Sequence, residues 1–536
     1  MCTSGTDRHA STRGCSAGAR LALALLVCTA LAGSDCQWNV GSLDVRLVYT
    51  NREGAKPLDR ELVERVRIRI EGQGLSPQLN EFEIGDEGGI SDLPVGERVR
   101  VIVEGLGGVG RPVSRGVSTE FETRSGDMHL FLFISLLGST SDPPSVTTTK
   151  YPDWPQAYRI EMRSGRVFHT AAVLPDQSVL IFGGTEAPDA VDYLARLSSG
   201  DALQTAERFD PSAGAFQLDD PEPGCGERLC LLAGRARSTV HVLDDSTVLI
   251  VGGEPIPGDE SLATETYSTE RQRFTKAVAM NTARSRHAAV ALPDGSGLLV
   301  VGGMDRAGIL LDSIEFYDAQ TASFSEVGSL TGPRAGARAV ACGDGVLVIG
   351  GWERFGTDEQ GLDRQPSRRV ERITFESGTA EVASRTDLHT ARAEHTAVLV
   401  DLEDEQAALV CGGIVSVDPD GWVWPTSTCE LVYCNENHTA LTEEAMYSER
   451  WAHTATVLPD GKVLVAGGFN RGISSGALGS AEILNPRTAQ PEKSPTLQRP
   501  RGGHTATLMP NGMVLLVGGL GGDQPDYEIY NPVYNP

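Results

Sequence analysis

Seven short apolar runs in this chain end in a Gly-Gly pair: Gly183-Gly184, Gly252-Gly253, Gly302-Gly303, Gly350-Gly351, Gly412-Gly413, Gly467-Gly468 and Gly518-Gly519. The steps between them are 69, 50, 48, 62, 55 and 51 residues. A period near 50 built on strand-like units marks a radial β repeat rather than a compact α/β domain. Such a scaffold accounts for its own repeated residues, so function is sought where the repeat breaks.

Each unit follows one grammar. The sixth has Arg450, His453 and Thr454, the turn Pro459-Asp460-Gly461, the apolar run 463–465, Gly467-Gly468, then Glu482 and Leu484. Asp-Gly between two alternating segments is a hairpin signal. Two more strands fit after the Gly pair, giving four per unit, with the outer strand of unit three at 324–330. All seven units have the opening Arg (Arg166, Arg235, Arg284, Arg334, Arg392, Arg450, Arg501) and the Glu (Glu207, Glu265, Glu315, Glu371, Glu430, Glu482, Glu528). Both are read as structural and as partners of each other. Five units carry a His: His169, His287, His395, His453 and His504, with Ser238 and Ala337 in the other two. These are read as satisfying strand ends within their own unit rather than as metal ligands. The glycines permit positive φ and close backbone approach where a strand leaves the core.

Arg-x-x-His, the apolar run with Gly-Gly, and Glu315-Phe316-Tyr317-Asp318 resemble kelch repeats over residues 155–536. The expected Trp is Phe at Phe216, Phe274 and Phe324 and is lost in later units. The resemblance implies an all-β chain: a seven-bladed kelch-type β-propeller preceded by a small β-sandwich. The last unit stops just after its third strand, so segment 155–163 is expected to supply its fourth and remove an open edge.

Ahead of the propeller, residues 21–32 form an apolar run of twelve behind Arg8, Arg13 and Arg20. That is too short to span a bilayer but suits a signal peptide, with Ala30-Leu31-Ala32 as cleavage site. Residues 1–32 are assigned as the signal, so the chain is expected to be exported to a periplasm, outer membrane or cell surface. Cys36 lies in a short tether, 33–42, and is the candidate for lipidation and outer-membrane attachment. The preceding Gly33-Ser34-Asp35 depart from the bacterial lipoprotein pattern. Residues 43–137 show alternating strands such as Val66-Arg67-Ile68-Arg69-Ile70 and resemble prealbumin- or immunoglobulin-like sandwiches. Residues 138–154, rich in Ser, Thr and Pro, are read as a linker.

A net charge of −26 argues against nucleic acid, which needs a basic footprint. The loops after Gly-Gly share a face in such a repeat, and the longest are 185–205, 352–369 and 414–428. Trp422 and Trp424 flank one Val there and could form an exposed platform, and Trp352, which opens another of these loops, is a further ligand-binding candidate. Arg306, Arg354 and Arg471, with Arg237 and Arg286 just inside the repeated Arg, are candidates to gather a carboxylate-bearing ligand at the channel mouth. Asp418, Asp420 and Gly421 lack the full calcium-loop signature. After Ala32 there are seven Cys. Cys225 with Cys230, and Cys411 with Cys429, are candidate disulfides; Cys342 and Cys434 have no assigned partner. The chain shows no nucleophile elbow, metal His pair or dinucleotide fingerprint, and no cofactor is expected. The function expected is noncatalytic binding or scaffolding of a protein or glycan. The alternative is a kelch-propeller enzyme acting on sugars, resembling galactose oxidase or sialic-acid epimerases.

Overall fold

The computed structural model describes residues 40–532, apart from 49–57, 59–61, 73–74, 84–89, 125, 142–157, 160, 187–201, 219–228, 255–263, 356–362, 472–475, 494 and 522–526. The signal-peptide assignment and Cys36 lie outside the described residues. All regular elements among them are strands.

Two sheets build the N-terminal module. In one, Val40–Val48 lies between Ile90–Pro94 and Gly126–Phe133. The other is ordered Gln78–Glu83, Arg65–Gly72, Arg98–Leu106, Pro112–Val117, Ser135–Leu136, and Phe121–Glu122 also pairs with Arg98–Leu106. The alternation in Arg65–Gly72 puts Ile68 and Ile70 into a core with Leu43, Leu93, Val101 and Leu132, drawn from both sheets. Its arginines face the other way, where Arg65 and Arg67 pair with Glu81.

Seven antiparallel sheets follow, one per repeat. In each, the apolar run before Gly-Gly is the second strand; Val179–Phe182 and Gly297–Val301, for example, are buried at every position. A strand covered on both faces by neighbouring sheets reads as a continuous apolar run instead of alternating.

The Gly-Gly pair makes the joint between sheets. A Cβ on Gly183 would lie 2.3 Å from the carbonyl oxygen of Arg235, the arginine opening the next repeat. Gly184 has φ +87° and its N–H donates to that same carbonyl at 2.9 Å. The joint recurs from Gly253 to Arg284, Gly303 to Arg334, Gly351 to Arg392, Gly413 to Arg450 and Gly468 to Arg501. It also runs from the last repeat to the first: Gly519 N–H donates to the Arg166 carbonyl at 3.0 Å. First strands neighbour one another in the same succession, and Thr505–Leu508 of the last sheet lies beside Thr170–Val173 of the first.

The fourth strand of the last sheet is not segment 155–163. Ser139–Ser141 pairs with Tyr527–Asn531 instead, in the stretch read from sequence as a linker. Tyr158–Arg159 adds a fifth strand to the first sheet, beside Ala215–Gln217, with the Arg159 guanidinium over the Phe216 ring. The reason is proximity. The chain leaves the N-terminal module at Ser135–Leu136, and Gly138 N–H already donates to the Asn531 carbonyl, so the edge is filled by the first segment to reach it. The module is docked on these sheets. Phe133 packs with Phe209, Phe216 and Tyr527, and Asn531 Nδ2 donates to the Arg115 and Ser135 carbonyls.

Candidate functional site

The repeated arginine is paired with the repeated glutamate in all seven sheets, at 2.5–2.7 Å in the first, third, fifth, sixth and seventh. Both partners are buried. The glutamates also accept backbone N–H groups from the strand-free segment ahead of the arginine, as Glu315 does from Asn281 and Thr282. These pairs fasten the entry of each sheet and are not available to a ligand.

Four of the five histidines bond side chains of a neighbouring sheet, not of their own, which corrects the sequence reading. His287 Nε2 meets the Thr239 hydroxyl of the preceding sheet at 3.0 Å, His453 meets Thr396, His504 meets Thr454, and His169 meets Thr505 of the last sheet. Burial first, then the charge of the neighbouring arginine, pushes His169 and His287 down to about 3, so both are neutral near neutral pH.

The asymmetry lies one step away. The residue two after each repeated arginine has φ between 50° and 68° in every sheet, and these residues are Phe168, Arg237, Arg286, Gly336, Glu394, Ala452 and Gly503. Successive members share backbone hydrogen bonds: Arg237 N–H to the Phe168 carbonyl, Ala452 to Glu394, Gly503 to Ala452, and Phe168 back to Gly503. They border a central cavity of about 440 Å³. The left-handed conformation is repeated while the side chains are not. Glycine would be the economical choice here, since left-handed geometry costs a side-chain-bearing residue roughly 1–2 kcal/mol.

Arg237 and Arg286 do come together at this rim, but they are already engaged. Both bind Glu254, at 2.9 and 2.6 Å, and Arg286 also approaches Glu394 at 4.0 Å. Arg237 stacks on Phe168 and Arg286 on Phe355. Glu394 in turn accepts Trp352 Nε1–H at 3.2 Å. Trp352, a candidate ligand-binding residue from the sequence, is instead buried: it is 0% exposed in an apolar cluster with Phe355 and Ile414. Sequence reasoning missed Phe168, Glu254 and Glu394. Aligning the units on the residue two after the arginine was the signal that finds Phe168 and Glu394.

Arg306, Arg354 and Arg471 are not gathered at the rim. All three are exposed, none borders the central cavity, and Arg354 lies 3.8 Å from Asp363 on its own hairpin. Two of the long loops are extra hairpins, Trp352–Phe355 with Arg364–Pro366 and Ile414–Val417 with Val423–Pro425. These two lie side by side. On the second, Val423 is buried while Trp422 and Trp424 are 54% and 52% exposed. The turn before them is fixed by Asp418, whose carboxylate accepts the N–H groups of Asp420 and Trp422.

Cys411 and Cys429, opposite each other on neighbouring strands, form a disulfide. Cys342 and Cys434 form another, tying the fourth sheet to the fifth. The sequence offered no partner for either, because 92 residues separate them. Cys230 is disulfide-bonded, and Cys225 lies outside the described residues.

A stretch of 120 residues is 32% identical to Alpha-scruin of Limulus polyphemus, covering 21% of this chain and 13% of that protein. The chain is similar to Alpha-scruin over that stretch alone. No family model matches it. The all-β architecture of small antiparallel sheets and this partial likeness fit a kelch-type repeat chain.

Proposed function

We propose that this chain is an exported, noncatalytic binding protein whose seven sheets close into a kelch-type propeller. It engages a protein partner through the face bearing the two extra hairpins. The observation that carries the binding reading is the pair Trp422 and Trp424, both more than half exposed on a hairpin whose turn is held by Asp418. Large aromatic surface on a braced element costs little ordering on binding, and interface energy concentrates in such residues. The joint from Gly519 to Arg166 supports closure. The signal-like segment 1–32 supports export, as do the two disulfides Cys342–Cys434 and Cys411–Cys429, since such bonds persist in oxidising compartments.

Two exposed indoles on one hairpin also suit a sugar ring, so the test includes both partner classes. Protein and glycan arrays probed with the wild-type chain and with Trp422→Ala/Trp424→Ala should show a partner whose affinity drops by about 2 kcal/mol or more in the variant. Unchanged affinity would remove the indoles from the site. Export is read separately by mass spectrometry of the mature chain, which should begin at or after Gly33; retention of Met1 would refute it. A diacylglyceryl mass on Cys36 would establish lipid attachment.

A further inference from the structure

One repeat departs from the others inside the central cavity itself. Four residues after the repeated arginine, five sheets carry threonine and one carries Ala288; the fourth carries Arg338. Arg338 borders the cavity and is exposed to it. Its Nε donates to the His395 carbonyl at 2.8 Å, and it forms no ion pair among the described residues.

Its presence has a visible cost. In four other sheets the threonine at this position bonds the histidine of the next sheet, and Thr170 meets Ser238. Arg338 does not, and His395, 0% exposed, has no side-chain partner among the described residues. Losing a hydrogen bond between buried groups lowers stability. A sequence that breaks its own repeat at the expense of stability has a functional residue there.

The charge balance of the walls points to the ligand. Arg237 and Arg286 border the same cavity, and Glu254 and Glu394 face them. Three guanidinium groups thus stand against two carboxylates, in a chain of net charge −26. Burial, and after it the charge of Arg338, holds His395 neutral. We propose that the central cavity binds a small oxyanion, with the guanidinium of Arg338 as its counter-charge. A guanidinium offers two parallel N–H donors to a carboxylate or phosphate, and a cavity of about 440 Å³ suits a small molecule. This site is inside the channel and does not depend on the indole-bearing face.

The test uses the full mature chain, titrated by calorimetry with succinate, citrate and inorganic phosphate, each to about 10 mM at fixed ionic strength, with melting followed in parallel. At least one probe should bind saturably, one per chain, and raise the melting temperature. Tighter carboxylates would mark an organic acid as the ligand, and tighter phosphate a phosphorylated one. Arg338→Thr should weaken that binding by at least about tenfold. It should melt at or above the wild-type temperature, because the new hydroxyl restores the threonine–histidine bond made between other sheets. Arg338→Lys, which keeps the charge but loses the fork, should bind with intermediate affinity. Three results would each overturn the proposal: no probe binding to the wild type, unchanged binding in Arg338→Thr, or a marked loss of stability in Arg338→Thr.

Discussion

The buried pair of Arg284 with Glu315 acts as a fastener because each guanidinium nitrogen of Arg284 is bonded, Nε to the Thr282 carbonyl. Arg284 Nη1 donates to the Gly302 and Ser313 carbonyls while Nη2 meets Glu315. Removing one partner of such a pair strands a buried charge, which costs about 3–5 kcal/mol. The interstrand histidines have a different consequence, through pH. His169 and His287 titrate near 6.5 when unfolded and are pushed down to about 3 when folded. Below about 6.5 the unfolded chain takes up protons that the folded chain refuses. Stability is therefore full above that value and falls with pH by up to about 1.4 kcal/mol per unit for each histidine. Between pH 6.5 and 5, above the carboxylate range, the melting temperature should decline, and His287→Asn should flatten the decline. A flat profile in the wild type would contradict neutral burial. At this scale the recurring Arg and Glu were legible because a residue needed once per sheet recurs once per sheet. The bonding of the histidines was not, because their partners, such as Thr505 for His169, lie on a neighbouring repeat and carry no fixed spacing from them.

At the scale of the element, the second strands were evident from their unbroken apolar runs, and the Gly-Gly pairs marked their ends. The short edge strand Ser139–Ser141 was hidden in a Ser- and Thr-rich stretch, since three polar residues carry no periodicity. What identifies it is the exit of the chain from the N-terminal module beside Tyr527–Asn531. Thr140 is buried, sits opposite Tyr530, and its hydroxyl donates to the Thr496 carbonyl at 2.8 Å. Thr140→Val would remove that bond and leave the Thr496 carbonyl without this partner at a buried edge strand. A loss of roughly 2 kcal/mol in urea unfolding is expected; an unchanged midpoint would mean the edge is not filled by this strand. The same distance problem concealed Cys342–Cys434, whereas Cys411–Cys429 followed from two strands adjacent within one repeat.

For the whole molecule, one scaffold carries two kinds of position. Residues repeated in each sheet hold sheets to one another, and residues that break the repeat gather at the cavity rim, inside the cavity at Arg338, and on the hairpin of Trp422 and Trp424. The candidate site was legible only in part. Arg237 and Arg286 were visible as departures, but their shared carboxylate, Glu254, comes from a loop whose position depends on the joints. The account rests on those joints returning to their start. Amide hydrogen exchange of Gly519 measures this most directly. Its N–H donates to the Arg166 carbonyl at 3.0 Å, as Gly303 and Gly351 donate to Arg334 and Arg392. Protection of Gly519 comparable to that of Gly303 and Gly351 is the predicted result. Fast exchange at Gly519, with the other two protected, would mean an open arc of sheets and would contradict the account.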